Sequence, residues 1–511
     1  MFFQVIERIC LIGIILGLPL SEMPVRYRLI NSLNSLPEVF CMIGVLFICI
    51  ELVIKKKRVG NYKEMAFLSL YTIWPIICII IGAYTYSFYT DMNLLDTPRM
   101  IKLWKLMPGI NDNTFLVVGS AILNIWRMIK EELFPFLGGV SLTYHLYYRN
   151  WKLGFKDIRI AAVILGIICF IYSIPELLWI WSENIECENL LKFINVHLYD
   201  VPQPPAWHPP LLWRGQLRSV FDEPSSFGAV SSFIFPFLLT ISAKNKWQYI
   251  VKSIFIGLYV LMIFSTQSRT ALGIFLVEII SLAVIYISNH SRYYKKKITF
   301  LVLSMVLGML FYNVCPPIVK NIIPTGNSTA SAGLFGVAKN ENYLERNIGS
   351  VGNVSERSNG ARYGITVGSF IVGIDHPILG VGRGYESLYI EQCLPDFARN
   401  NDEINKWMAN CREKGITEMG CFILNQYTQI FATSGILGVI LFIFPPFYCG
   451  IRILKRRKLL SDEMVLTLFV IFLGQLAAMF SGPYRFTYPI VLALTYIIVK
   501  DDATEIYSTH Q

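Results

Sequence analysis

Arginine side chains recur beside apolar runs from residue 218 onward, and one glutamate accompanies them. Arg218 and Glu223 stand directly before the run that begins at residue 225, and Arg269 separates two further runs in the stretch STQSRTALG. A charged side chain at membrane depth is costly unless it is paired, lines a watery cavity or does chemistry. Simpler interpretations are a charged helix cap for Arg218 and Glu223 and an interfacial anchor for Arg269.

The longest connection between apolar runs, residues 317–426, adds Arg357, Arg362 and Arg383. Arginine keeps its positive charge and can bind phosphate through two parallel hydrogen bonds. A carboxylate can act as a base and accept a proton from a hydroxyl group. The glycines around Arg383 have the spacing GxGxG, without the βαβ unit of a nucleotide-binding loop. We expect them to let the backbone turn tightly or approach a ligand closely.

Neutral hydrogen-bonding side chains follow at the start of the next apolar run. Asn425, Gln426 and Gln429 suit sugar hydroxyls, and helix packing is an equally good interpretation. Several arginines near one carboxylate suggest a phosphate-bearing substrate and a base. A lipid-pyrophosphate sugar fits both, because its tail lies in the bilayer while its pyrophosphate and sugar lie at the surface.

The composition decides the fold class. Of 511 residues, 54% are hydrophobic and 16% are charged, and the mean hydropathy is +0.50. A membrane span needs about 20 mostly apolar residues, so we predict an all-α polytopic membrane protein with about twelve transmembrane helices. The predicted spans are 4–20, 36–54, 65–87, 131–148, 159–182, 225–242, 248–266, 270–288, 298–316, 427–450, 463–480 and 486–499.

The net charge of +10 is concentrated in short connections such as KKKR at 55–58 and RILKRRK at 452–458. With twelve spans these connections share one side, which the positive-inside rule identifies as the cytoplasm, so no nucleic-acid partner is needed to explain the charge. The first span is expected to be retained, and residues 112–130 to form an interfacial helix. The predicted divisions are N-terminal spans at 1–182, an external loop at 183–224, central spans at 225–316, a large external loop at 317–426, and C-terminal spans with a cytoplasmic tail at 427–511.

Most of the eleven cysteines stand alone within predicted spans, where a thiol is a small apolar side chain. Cys393 and Cys411 lie in the large external loop, where an oxidising compartment would permit a disulfide. No histidine and cysteine set has the spacing of a zinc site, and we expect neither a metal nor a cofactor.

Four short motifs in order carry a resemblance to a known family. They are R-x4-EPS at 218–225, SRTA at 268–271, HPILGVGRG at 376–384 and NQYTQIFATSGILG at 425–438. Together with the long external loop before the last three spans, they resemble the bacterial O-antigen polymerases of the Wzy type and the related O-antigen ligases. The resemblance covers about residues 60–500.

The resemblance implies a GT-C-like helical membrane glycosyltransferase that uses undecaprenyl-pyrophosphate-linked sugars, inverts the anomeric centre and needs no metal. Polymerases extend a glycan by one lipid-linked repeat unit, whereas ligases transfer the finished glycan to lipid A-core. A ligase pattern begins with histidine; Asn425, Gly435 and Gly438 fit its later positions, but Leu424 stands first. This departure favours a polymerase of O-antigen or capsule.

On this interpretation the donor pyrophosphate is held by Arg218, Arg269 and one or more of Arg357, Arg362 and Arg383. The sugar is contacted by Asn425 and Gln429. Glu223 accepts the proton of the attacking hydroxyl, although neighbouring arginines would lower its pKa and weaken it as a base. Glu223 could instead orient an arginine. The expected partners are the lipid-linked oligosaccharide, membrane lipid and a chain-length regulator, in a bacterial inner membrane with the active site outside. A ligase or a transporter of the lipid-linked sugar is the alternative.

Overall fold

A computed structural model describes residues 2–21, 23–28, 35–55, 62–91, 94–199, 215–288, 292–322, 357–419 and 423–508. Within these residues all regular structure is helical, and no strand is present. The first half contains α1 Phe2–Leu16, α2 Leu36–Lys55, α3 Tyr62–Ser69, α4 Trp74–Thr85, α5 Pro98–Trp104, α6 Asp112–Met128, α7 Phe134–Tyr147, α8 Trp151–Ser182 and α9 Ile185–Leu198.

The second half begins with α10 Pro224–Leu239, α11 Lys246–Ser265, α12 Arg269–Ser288 and α13 Arg292–Ile322. It continues with α14 Arg357–Asp375, α15 Glu386–Gln392, α16 Asp396–Arg399, α17 Asp402–Lys414, α18 Gln426–Lys455, α19 Glu463–Ala478 and α20 Thr487–Ser508. Single-turn helices lie at Val25–Tyr27, Leu70–Thr72, Tyr89–Asp91 and Arg457–Ser461.

Seven helical segments among the described residues are long and apolar enough to cross a membrane, which confirms a polytopic membrane protein. They are Leu36–Lys55, Lys63–Thr85, Trp151–Ser182, Lys246–Ser265, Arg269–Ser288, Lys296–Ile322 and Gln426–Lys455. Three shorter apolar helices, Pro224–Leu239, Glu463–Ala478 and Thr487–Lys500, coincide with predicted spans. The total of twelve spans stays a prediction.

The predicted interfacial helix at 112–130 is not a separate element. A π-helical segment, Ile129–Leu133, joins α6 to α7, so the chain is helical without a break from Asp112 to Tyr147. Pro135 follows this segment and has no backbone N–H to donate to the preceding turn, which accounts for the irregular hydrogen bonding there. The placement of residues 112–130 at the membrane surface stays a prediction.

The described part of the large external loop is a folded helical unit. Helices α14 to α17 share an apolar core that includes Ile365, Ile390 and Met408, and α14 also packs against α18. The predicted Cys393–Cys411 disulfide is not formed: both thiols are free, and the Cys393 sulfur contacts the Asp375 carboxylate at 3.8 Å. Cys411 is buried instead among the packed helices.

Helix α18 is interrupted at Gly435, where φ is 64° and ψ is −169°, a backbone conformation that is essentially restricted to glycine. At the break, backbone carbonyl and amide groups of α18 are free of helical hydrogen bonds and pair with the backbone of the HPILGVGRG loop. The amides of Val381 and Gly382 donate to the carbonyls of Ala432 and Thr433 at 2.9 and 3.0 Å, and the Ile436 amide donates to the Pro377 carbonyl at 2.8 Å. The loop is therefore held against α18 by main-chain hydrogen bonds.

Replacing Gly435 with Ala is expected to destabilise the protein. A Cβ atom there would stand 2.2 Å from the Ile378 carbonyl oxygen, and positive φ costs a side-chain-bearing residue about 1–2 kcal/mol before any clash. The measurement is the temperature at which detergent-purified protein loses its monodisperse gel-filtration peak. Gly450→Ala in the same helix is the matched control, because a Cβ at Gly450 has no atom within 4 Å. Equal melting temperatures for the two variants would contradict the expectation.

Ion pairs near the basic connections identify one end of the helix bundle. Lys297 pairs with Glu463, the first residue of α19, and Lys500, which ends the apolar part of α20, pairs with Glu64, each at 2.7 Å. Since each helix runs from one end of the bundle to the other, the connection between α19 and α20 lies at the opposite end. Two of the sequence-predicted arginines, Arg269 and Arg362, meet at that opposite end.

Candidate functional site

The connection between α19 and α20 is the meeting point of several helix ends. Helices α10 and α12 approach each other very closely at Gly228 and Ala271, and only a residue without a Cβ fits at position 228. This contact brings the first turns of the two helices together and places Glu223 and Arg269 at neighbouring helix starts. Because α20 begins there too, several helix N-termini with their partial positive charge face this region, which favours an anion.

Hydrogen bonds link the arginines of α12 and α14 to this connection. Arg362 donates from Nη1 to both the carbonyl and the hydroxyl oxygen of Ser481, each at 3.2 Å. The Ser481 hydroxyl lies 2.6 Å from the Thr270 hydroxyl, and the neighbouring Arg269 donates to the side-chain oxygen of Asn359. Two residues predicted from distant parts of the chain, Arg269 and Arg362, are thus brought together.

Glu223 lies beside the same cluster, at the residue before α10. The Ser225 hydroxyl donates to its Oε2 at 3.1 Å, and its own backbone amide donates to the Asp222 carboxylate at 2.9 Å. Burial raises the pKa of the Glu223 carboxyl, the charge of Asp222 adds to the rise, and the Ser225 hydrogen bond with the charges of Arg362 and Arg485 opposes it. The arginines lower the pKa of Glu223 as expected, but desolvation outweighs them, so the net change is a rise and the expected net fall was wrong.

Arg485 was not predicted from the sequence. It stands in the short stretch SGPYRF between α19 and α20, and its Nη2 donates to the Ser226 hydroxyl at 3.2 Å. A lone arginine between two apolar runs was the signal that identified Arg269, and the same signal applies to Arg485. Glu223, Arg269, Arg362 and Arg485 are all half-buried, so each retains access to a ligand. We call these four residues the arginine–glutamate cluster.

Arg218 lies apart from this accessible cluster. It is only 2% exposed, its guanidinium carbon lies 4.9 Å above the Tyr199 ring, and it donates to the Asp222 carbonyl at 3.3 Å. The two Glu176 carboxylate oxygens accept from the backbone amides of Arg218 and Ser219 at 3.0 and 2.9 Å. These contacts make Arg218 a positioning residue for the loop that carries Glu223; in this conformation it is closed to a substrate.

Arg383 belongs to a second, neighbouring group of charges. Its guanidinium pairs with Glu131 at 3.2 Å and with Glu132, both in the π-helical segment. Glu132 also accepts from Tyr71 at 3.1 Å through its carboxylate and from Tyr484 at 2.9 Å through its backbone carbonyl. Because two carboxylates already balance Arg383, the structure does not add it to the arginine–glutamate cluster.

The predicted sugar-binding amides are used for packing. Asn425 caps α18 by accepting from the amides of Tyr427 and Thr428 at 3.0 and 3.2 Å. Gln429 is 5% exposed and donates to Glu386 at 2.6 Å, and Glu386 also accepts from the Gly384 amide at 2.6 Å. The packing alternative therefore describes both residues. Arg357 begins α14, but its side chain lies outside the described part of the structure.

An apolar groove with a volume of about 530 Å³ separates α4 from α6. Its walls are aliphatic and aromatic, and include Ile81, Tyr84, Val117 and Ile122. The loop of Arg383 lies against both helices, because Gly382 touches the α4 backbone and Gly384 touches Asn124 of α6. A groove whose surface is almost wholly apolar suits a hydrocarbon chain better than a sugar.

No protein-family model matches the chain. No curated protein matches it either.

Proposed function

We propose that this chain is a membrane glycosyltransferase that polymerises lipid-pyrophosphate-linked glycan repeat units. The observation that carries the proposal is the arginine–glutamate cluster, in which Arg269, Arg362 and Arg485 meet beside Glu223 at the end of the bundle away from the basic connections. Three guanidinium groups outnumber the carboxylates of Asp222 and Glu223, so the cluster is suited to a multiply charged anion.

The reaction that fits this cluster is an inverting transfer between two lipid-linked sugars. The hydroxyl oxygen of the incoming repeat unit forms a bond to the anomeric carbon of the donor glycan while the bond from that carbon to the pyrophosphate oxygen breaks. Glu223 accepts the hydroxyl proton, and the raised pKa of its carboxyl makes it a better base than an ordinary glutamate. The departing lipid pyrophosphate takes the electron pair, and the arginines stabilise its growing charge.

The setting of the cluster fits a lipid-borne substrate. The cluster lies at helix ends of a polytopic membrane protein, and the apolar groove between α4 and α6 offers a surface for part of a polyprenyl chain. With the basic connections in the cytoplasm, as the positive-inside rule predicts, the cluster faces the other side of the membrane. In a bacterium this corresponds to the periplasmic side of the inner membrane.

Reconstitution tests the proposal directly. The full-length protein, purified and placed in lipid nanodiscs, is given one defined undecaprenyl-pyrophosphate repeat unit, and the products are separated by mass. A ladder of dimers and higher oligomers on the carrier lipid, with release of undecaprenyl pyrophosphate and inverted linkages, is expected without added divalent cation. Unchanged substrate in the presence of the correct repeat unit, with protein that remains monodisperse, would refute polymerase activity.

Transport of the lipid-linked sugar is a second candidate, because interrupted helices such as α18 at Gly435 are typical of transporters. The surface glycan of a deletion strain separates the candidates. Loss of a polymerase leaves single repeat units on the acceptor, loss of a transporter leaves no surface glycan, and loss of a ligase leaves polymer on the carrier lipid.

A further inference from the structure

Three side chains able to bind a metal meet at the basic end of the bundle, far from the arginine–glutamate cluster. Glu7 of α1, Glu51 of α2 and His145 of α7 each present one ligand atom, and these atoms lie within 4.8 Å of one another. Tyr144, next to His145, donates to Glu64, which also pairs with Lys500 and so marks the basic end. The three residues are too far apart in sequence for a spacing rule to connect them.

The distances suit a single small ion. His145 Nε2 lies 3.0 Å from Glu51 Oε2 and 3.4 Å from Glu7 Oε2. Ligand atoms bound at about 2.0–2.2 Å to one ion are about 3.0 Å apart at right angles and about 3.4 Å apart at a tetrahedral angle. The two distances from His145 therefore match bonds to one ion, and the Glu7 and Glu51 oxygens, which lie within 4.8 Å of each other, would complete the site by moving toward it.

Glu7 supplies an independent reason to expect a ligand. It is fully buried, and neither of its carboxylate oxygens accepts a hydrogen bond from any described residue. A buried carboxylate without donors is costly, so the group must either hold a proton, shared with the neighbouring Glu51, or bind a cation. Lys55 pairs with the other oxygen of Glu51 and is directed to the surface, with a side chain 36% exposed. Lys55 therefore donates to neither oxygen of Glu7 and acts on it only through its charge.

A proton on His145 would compensate the group less completely than a metal ion. The Nε2–H bond can point at one oxygen, and Glu51 offers the nearer one at 3.0 Å. Glu7 would then still lack a donor. The Nδ1 atom of His145, which is buried without a hydrogen-bond partner among the described residues, carries a proton in both cases and does not distinguish them. A divalent ion accepts lone pairs from both carboxylates and from Nε2 at once.

We propose that Glu7, Glu51 and His145 bind a first-row divalent metal ion, zinc being the best fit, which fastens α1 and α2 to α7. One imidazole and two carboxylates suit Zn²⁺ or Mn²⁺, whereas Mg²⁺ and Ca²⁺ prefer oxygen ligands alone. The ion acts on stability and lies away from the proposed reaction, so this site does not depend on the proposed function.

The test uses the full-length protein, purified through a non-histidine tag from zinc-supplemented cells and passed by gel filtration into metal-free buffer. About one zinc per chain is expected in wild-type protein by elemental analysis, and the chelator EDTA should lower its melting temperature by several degrees. Glu7→Gln keeps the side-chain volume and should weaken zinc binding at least tenfold. It should also make melting insensitive to EDTA. Glu463→Gln, which removes a carboxylate at the same end, is the matched control and should bind zinc like wild type.

Cobalt provides a second measurement on wild-type protein in case the variants do not fold. Co²⁺ titrated into metal-free protein should develop the visible absorption of a four-coordinate site with nitrogen and oxygen ligands, and Zn²⁺ should remove that absorption by competition. Wild-type protein with less than a tenth of a zinc per chain and no response to Co²⁺ would overturn the proposal and assign the group to proton sharing. Equal zinc binding by wild type and Glu7→Gln would also overturn it, since the ion would then lie elsewhere.

Discussion

Glu223→Gln is expected to lower the polymerisation rate by about 10²–10⁴-fold, the usual contribution of a positioned general base. Glutamine has the same size and can still accept the Ser225 hydrogen bond, but it cannot take the proton of the attacking hydroxyl. The protein should therefore insert and purify normally. The measurement is the initial rate of oligomer formation in nanodiscs under saturating substrate.

The pH profile provides a second readout for Glu223. The base must be deprotonated, and burial raises its pKa, so the wild-type rate should fall with acidification at a higher pH than an ordinary glutamate would give. Glu223→Gln should lack this acid limb in its residual activity. Glu391→Gln removes a carboxylate of an exposed ion pair with Arg412 and should leave both rate and profile unchanged. A Glu223→Gln enzyme with a near-normal rate would exclude Glu223 as the base.

Arg362→Ala is expected to reduce the rate by about 10²–10³-fold, because it removes one preorganised donor for the charge that develops on the leaving pyrophosphate. Arg362→Lys should restore only part of the rate, since lysine keeps the charge but loses the two-pronged geometry. Arg412→Ala, which breaks the exposed pair with Glu391, is the matched arginine control and should retain activity. Oligomer formation is again the measurement.

The charge of Arg362 also opposes the rise in the pKa of Glu223. Its removal should therefore raise that pKa further and move the acid limb of the residual activity to higher pH. An unchanged limb together with a normal rate in Arg362→Ala would show that Arg362 neither contacts the pyrophosphate nor influences the base, and would remove the main support for the polymerase proposal.

Most of the helices could be predicted from the sequence, because hydropathy over about 20 residues is a local property and a chain in lipid must satisfy its own backbone hydrogen bonds. Two features of the helices were not predicted, because they depend on local backbone conformation and not on hydropathy. Residues 112–130 were predicted as an interfacial helix apart from the span at 131–148, yet the π-helical segment at Ile129–Leu133 continues the helix into α7. Positive φ at Gly435 is equally invisible to a hydropathy window.

The site residues were predicted in part. Arg269 and Arg362 meet, as the motifs suggested, whereas the equally plausible Arg218 and Arg383 are engaged by Tyr199 and by Glu131 with Glu132. The chemical type of an arginine shows what it can bind, but its partners depend on helices that are distant in the sequence. Arg485 was overlooked although it lies in a short connection like that of Arg269.

The sequence alone determined that this chain is a helical membrane protein with charged residues at the ends of its spans, because the cost of exposing polar groups to lipid acts on every short segment separately. Only the tertiary structure decided which charges share a space. Arg362 and Arg485 are the neighbours of Glu223, whereas Arg218 is buried against the Tyr199 ring. Glu7, Glu51 and His145 come together from three helices. Those choices depend on how helices pack side by side, and packing joins residues without regard to their separation along the chain.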